Sequence, residues 1–222
     1  MWYNDPMRYT TTKFRKSIKS PATSNVLKSG DNNAKLGFKI ESKRWNGKRL
    51  YSLTLTERDT CPIDCHHWDD CYGNNMPFAH RFSIDGLTDK LRIEIPALLN
   101  KHKSGIVIRL HVLGDFYSPE YVAFWEEMLA TYPTLCLFGY TARRVDSDIG
   151  KAIYLMNLRY GDRCVIRYSR NEAFDTVGQS FAAEESFDGQ SFTCPEQTGK
   201  LDSCAACGLC WTVTKTVRFL SH

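Results

Sequence analysis

The sequence predicts an α/β fold made of parallel βαβ units, either an open sheet or a fragment of a barrel. Three observations predict it. Strand-like and helix-like stretches alternate from residue 106 to residue 168, as parallel strands joined by crossover helices require. A clear helix start lies inside that alternation: Ser118 is a good N-cap and Pro119 suits the first helical position. A cysteine-rich loop, Thr60–Tyr72 (TCPIDCHHWDDCY), directly follows the strand-like run Tyr51–Thr56.

Taken in order, residues 1–34 are polar and rich in Ser, Thr, Asn and Lys, and they read as an arm or loosely packed extension. Lys35–Trp45 and Arg49–Thr56 flank Asn46-Gly47, the strongest short hairpin signal in the chain. After the cysteine loop, Asp85–Lys101 carries Leu87, Leu91, Ile95, Leu98 and Leu99 at helical spacing, with Pro96 as a kink or break. Ile106–Val112 is a strand, Pro119 to about Thr131 a helix, and Leu135–Tyr140 a strand. Asp146–Arg159 is a helix and Cys164–Tyr168 a fourth strand. Beyond Asn171 the pattern dissolves, leaving short strand signals at Phe181–Ser186 and Val217–Leu220. The organisation expected is therefore an extension over 1–34, a core over 35–180 and a cysteine-rich closing segment over 181–222.

The 222 residues are 42% hydrophobic, enough for a sizeable core, and no apolar run is long enough to span a membrane. The first twenty residues lack the apolar region of a secretory leader, which places the chain in a cytoplasm by this reading. Nine cysteines are many for such a compartment, and clustered thiols there are more often metal ligands than disulfides. The net charge of +4 permits contact with nucleic acid but falls short of arguing for it.

Functional groups in parallel α/β folds gather at the carboxyl ends of the strands. The cysteine loop, Gly114-Asp115, Tyr140–Arg144 and Ser169-Arg170 all fall there. Cys61, Cys65 and Cys71 offer three thiolates in a Cys-x3-Cys-x5-Cys pattern. Three ligands on a four-iron cluster leave one iron open for a substrate or cofactor. With His66 or His67 the same thiolates would instead complete a tetrahedral zinc site. Cys194, Cys204, Cys207 and Cys210 suit either a closed zinc site or a second iron–sulfur cluster. Asp115 or the adjacent backbone is placed to take an ammonium group, and Arg170 to fork onto a carboxylate. Cys136 and Cys164, His111, and the stripe Tyr121/Phe124/Trp125 read as core.

These stretches resemble a known family. The strand, the cysteine loop continuing into CYGNN, the strand ending HVLGDFYS and the strand ending YTARR are similar to the phage-associated gene product 88 proteins, over roughly residues 50–220. Those in turn resemble the radical S-adenosylmethionine (SAM) superfamily. The resemblance implies a partial (β/α) barrel of radical-SAM-like type. It also implies a [4Fe-4S] cluster on Cys61, Cys65 and Cys71, whose open iron takes SAM, the source of a deoxyadenosyl radical. Leu113-Gly114-Asp115 would meet the SAM amino group, and Ser169 and Arg170 its ribose or carboxylate. The superfamily's second cysteine gap is two residues where this chain has five, and Asp115 stands where a glutamate is usual. The substrate stays open, with nucleic acid or a nucleoside as one class. The alternative is a non-catalytic zinc-binding phage protein that binds nucleic acid in the host cytoplasm.

Overall fold

Four parallel strands lie side by side in the order in which the chain makes them. The computed structural model describes residues 11–65, 67–169, 180–183 and 191–220. In chain order the strands are β1 (Ile18–Lys19), β2 (Lys28–Ser29), β3 (Arg49–Ser52), β4 (Arg81–Phe82), β5 (Ile106–Leu110), β6 (Leu135–Thr141), β7 (Cys164–Tyr168), β8 (Ser180–Ala183), β9 (Phe192–Thr193) and β10 (Val217–Leu220). The helices are α1 (Leu87–Lys101), α2 (Pro119–Thr131), α3 (Asp148–Tyr160), α4 (Cys204–Cys207) and α5 (Leu209–Thr212).

The main sheet runs β2-β3-β5-β6-β7. Its last four strands are mutually parallel, and β2 is antiparallel on the β3 edge. Two small parallel groups stand beside it, β1 with β4, and β8-β10-β9. The fold is mixed α/β, and the sheet does not close into a barrel among the described residues. Among them, too, no helix is long and apolar enough to cross a membrane.

The caps act as the sequence indicates. Ser118 accepts a hydrogen bond from the Tyr121 N–H at the start of α2, and Ser147 does the same for Gly150 at the start of α3. α1 runs through Pro96 to Lys101 without ending. Its Leu91 and Ile95 are fully buried, and that tertiary burial outweighs the few kcal/mol an internal proline costs.

Strand alternation splits the sheet into two faces. Ile106, Ile108 and Leu110 of β5, with Leu135 and Leu137 of β6, pack against all three long helices. Leu50, Val107, Cys136 and Phe138 face the other way, under Leu36, Ile40 and Trp45 from the N-terminal side and Ala205 and Trp211 from the C-terminal side. This second face is where the chain's two ends meet. Cys204 and Ala205 donate to the carbonyls of Lys35 and Leu36 at 2.8 and 2.9 Å, and Trp45 stacks on Trp211 at 5.4 Å.

Two expectations change. The hairpin around Asn46-Gly47 shrinks to one antiparallel bridge, Lys39 with Arg49, plus a few turn bonds. Leu36, Ile40 and Trp45 are drawn onto the second face instead of alternating along a strand. The described part of the expected N-terminal arm, residues 11–34, is also packed. Val26 and Leu27 are buried, and their N–H groups donate to the Glu94 carboxylate of α1 at 2.8–3.1 Å. β1 and β2 from the same segment pair with β4 and β3.

Candidate metal centres

Beyond Ser52 the chain keeps pairing with the strand beside it. Leu53 donates to Arg109, Val112 to Leu53 and Leu55 to Leu113, at 2.8–3.1 Å. The cysteine loop therefore leaves the carboxyl end of the β3 extension, directly against Leu113-Gly114. Gly114 has φ +78°, and a Cβ there would stand 2.5 Å from Thr60 Oγ1 and 2.7 Å from Leu55 Cβ. Only glycine permits that approach.

A buried ion pair anchors the loop. Arg81 Nε donates to Glu57 Oε2 at 2.6 Å, with both side chains out of contact with water. The remaining Arg81 nitrogens donate to the carbonyls of Gly73, Met76 and Ala79, each at 2.9 Å, and to Ser17 Oγ. Arg58, at φ +69°, donates to the Trp68 carbonyl and to Asn74 Oδ1. Arg143 donates to the carbonyls of Thr60 and Phe116 at 2.7 and 2.8 Å. Three guanidinium groups thus hold the loop largely by its main chain. Cys61, Cys65 and Cys71 are half-buried and form no disulfide. Burial, then the Asp115 charge and the two companion thiols, pushes the Cys61 pKa up. Burial likewise raises Cys71.

Of the other predicted rim residues, Asp115 arrives beside this loop. Asp115 is 3% exposed and accepts from Phe116 N–H, Thr141 Oγ1 and Ala142 N–H at 2.7–2.8 Å. Burial raises its pKa to about 6, against the pull of those donors and of Arg143. Its carboxylate ties the ends of two strands together. Ser169 is half-buried at the end of β7, where its N–H donates to Thr141. Arg170 and His66 lie outside the described residues. His67 is half-exposed and pairs with Asp70 at 3.2 Å.

The second cysteine group lies on the second face of the sheet. Cys194, Cys204, Cys207 and Cys210 line one cavity, walled by Phe192, Leu209, Trp211 and Val217. α4 starts on Ser203 as N-cap and ends at Gly208, φ +66°, so that Cys207 and Cys210 flank a tight turn. Arg167 fixes that turn from β7, donating to the carbonyls of Cys210, Val213 and Lys215 at 2.5–3.0 Å. Tyr140 Oη donates to Cys210 Sγ at 2.8 Å. Burial raises the Cys204 thiol to about 11 and also raises Cys207 and Cys210. Among the described residues, no three His, Cys, Asp or Glu side chains are gathered so as to hold a metal ion.

Arg109 lies between the two groups. Its pKa is shaped by burial, which lowers it, and by Tyr72, Cys204, Tyr140 and Cys210, which together raise it. Tyr72 follows Cys71 in the first loop. Burial pushes its hydroxyl up to about 12 although 38% of its surface is open, as for a side chain facing a concavity.

Sequence reasoning named the seven cysteines, Gly114, Asp115 and Ser169 and put Tyr140–Arg144 on the same rim, but it did not single out Glu57, Arg58, Arg81, Arg109, Arg167 or Trp211. One signal was available for two of these: Arg109 and Arg167 interrupt apolar strand runs, and a charge there must find partners on the sheet face.

A family model described as Gene product 88 matches residues 25–213, a span that contains both cysteine groups. The Gene 88 protein of Mycobacterium phage L5 is 27% identical over 140 residues, covering 54% of this chain and 56% of that protein. The Gene 88 protein of Mycobacterium phage D29 is 27% identical over 136 residues, covering 54% and 57%. The chain thus spans little more than half the length of these curated relatives. No solved structure matches it.

Proposed function

The chain belongs to the gene product 88 family, and we propose that it is an iron–sulfur protein of radical SAM type. Cys61, Cys65 and Cys71 would hold a four-iron cluster with one open iron. One observation carries the reading. Three thiols leave the carboxyl end of a parallel strand, beside Gly114-Asp115 at the end of the adjacent strand. Strands adjacent in chain order, with α1, α2 and α3 on one face, are also how a partial (β/α) barrel begins.

The donor set of three thiols fits such a cluster. Bound there, the cluster supplies an open iron for the SAM amino and carboxylate groups and an electron to cleave SAM. The chain's own residues position it. Arg81, Arg58 and Arg143 fix the loop, and Gly114 lets the next strand's loop close on it. Raised thiol pKa values mean that loading releases protons, so a cluster binds better at higher pH.

The test is anaerobic reconstitution of the full chain beside a Cys61→Ala/Cys65→Ala/Cys71→Ala variant. The reading expects iron and sulfide lost from the variant, and a cluster spectrum perturbed by SAM in the wild type only. A colourless wild type with stoichiometric zinc and salt-dependent nucleic-acid binding would replace it with a structural zinc protein.

A further inference from the structure

The seat of the C-terminal cysteines is built for a negative charge. One hydrogen-bond donor reaches a cysteine there, and two buried donors on other elements, Trp211 on the cavity wall and Arg109 on β5, lie without acceptors. Tyr140 Oη, on β6, already donates to Cys210 Sγ at 2.8 Å. Trp211 lines the cavity, is 1% exposed, and its indole Nε1–H is buried without a partner among the described residues. Arg109, on β5, interacts electrostatically with Cys204 and Cys210, and its Nε–H is buried with no partner either. Arg109 differs in this from Arg81 and Arg167, whose guanidinium groups are spent on main-chain carbonyls. The one carboxylate on the cavity wall, Glu196, is paired with Lys35 at 3.3 Å.

A buried indole N–H and a guanidinium N–H left without acceptors are costly unless something anionic sits against them. The four thiols share one cavity without converging as a single ion would need. A zinc ion draws its sulfurs to about 2.3 Å from one centre. A cluster holds its ligands farther apart, because several metal atoms and sulfides stand between them.

We propose that Cys194, Cys204, Cys207 and Cys210 ligate a second, polynuclear iron–sulfur cluster, with Arg109, Tyr140 and Trp211 directing N–H and O–H groups at its anionic sulfurs. Donors of this kind stabilise the more negative, reduced state and raise the reduction potential. The site stands independently of the first loop. Arg109 also interacts with Tyr72, next to Cys71, so it faces both centres.

The experiment uses the full chain carrying Cys61→Ala/Cys65→Ala/Cys71→Ala, reconstituted anaerobically, which leaves the second group untouched. It should stay brown and hold about four iron and four sulfide per chain, as a four-cysteine cluster requires. Its low-temperature electron paramagnetic resonance signal should appear on reduction. Recovery with zinc alone, or with no metal, overturns the proposal. Cys204→Ala/Cys207→Ala in the wild-type background should lose this same iron whether or not the first loop binds a cluster, so the two readings fail separately. Retained iron in that variant, with a folded circular-dichroism spectrum, also overturns it. Arg109→Gln should keep the iron but lower the midpoint potential of the second centre. An unchanged potential removes Arg109 from the role assigned to it.

Discussion

The two cysteine groups are held in opposite ways. The first is a loop fixed by its own backbone. Arg81, Arg58 and Arg143 grip carbonyls around it with their guanidinium groups. The second is a pocket pressed onto the sheet by aromatic packing, Trp45 on Trp211 and Trp211 on Phe138 at 4.6 Å, with one donor on the Cys210 thiol. Rigidity of the main chain with open ligands suits a centre that must admit another molecule. A dry, donor-lined seat suits one whose charge is to be stabilised in place.

The largest way to break this contrast is Arg81→Met. It leaves Glu57 buried with no cation and strips donors from three loop carbonyls. Loss of one partner from such a pair costs about 3–5 kcal/mol, read by denaturant unfolding. Adding Glu57→Gln should restore much of that stability, since no buried charge then stands alone. It should not restore iron at Cys61, Cys65 and Cys71, because the carbonyls of Gly73, Met76 and Ala79 still lack their clamp. Iron at the second group should survive both variants. Parallel loss of iron from the two groups would show that they are one cooperative unit.

That clamp also marks where the sequence stopped being legible. The βα alternation could be read because apolar periods of 2 and 3.6 are local, and Ser118 and Pro119 mark their own helix start. The cysteines announced themselves by spacing. Arg81, by contrast, acts through main-chain carbonyls 2–8 residues away and a carboxylate 24 residues away, and no periodicity encodes that. The N-terminal segment misled for the same reason. Its composition is polar, yet its anchor is the pairing of two backbone N–H groups with Glu94, a charged residue on the same helix face as Leu87, Leu91 and Leu98. Arg170 remains a sequence expectation outside the described residues.

A pH series separates the fold from its centres. His111 is 5% exposed on the helix side, against Tyr121 and Phe116, and burial lowers its pKa to about 3. A depressed imidazole pKa means that the unfolded chain takes up a proton first. The stability contribution is therefore complete above about pH 6.5 and is lost as pH falls from there toward the folded value. From pH 7 to pH 5 the loss is about 2 kcal/mol. His111→Gln should flatten that slope. Acid loss of cluster that persists in His111→Gln is then proton competition at the thiols, not unfolding.

Tyr140→Phe is the smallest change and the sharpest on the contrast. It removes only the hydroxyl that donates to Cys210 Sγ and leaves the ring against Phe219 at 5.3 Å. One hydrogen bond to a buried sulfur is worth about 1 kcal/mol, so unfolding should shift by about that much. The second centre, if it is the anionic cluster inferred above, should lose potential with no loss of iron. The first group has no described contact with Tyr140, so its iron and its response to SAM should stay as they are. A change at the first centre alone would place Tyr140 on the path between the groups and shift the assignment of Arg109 with it.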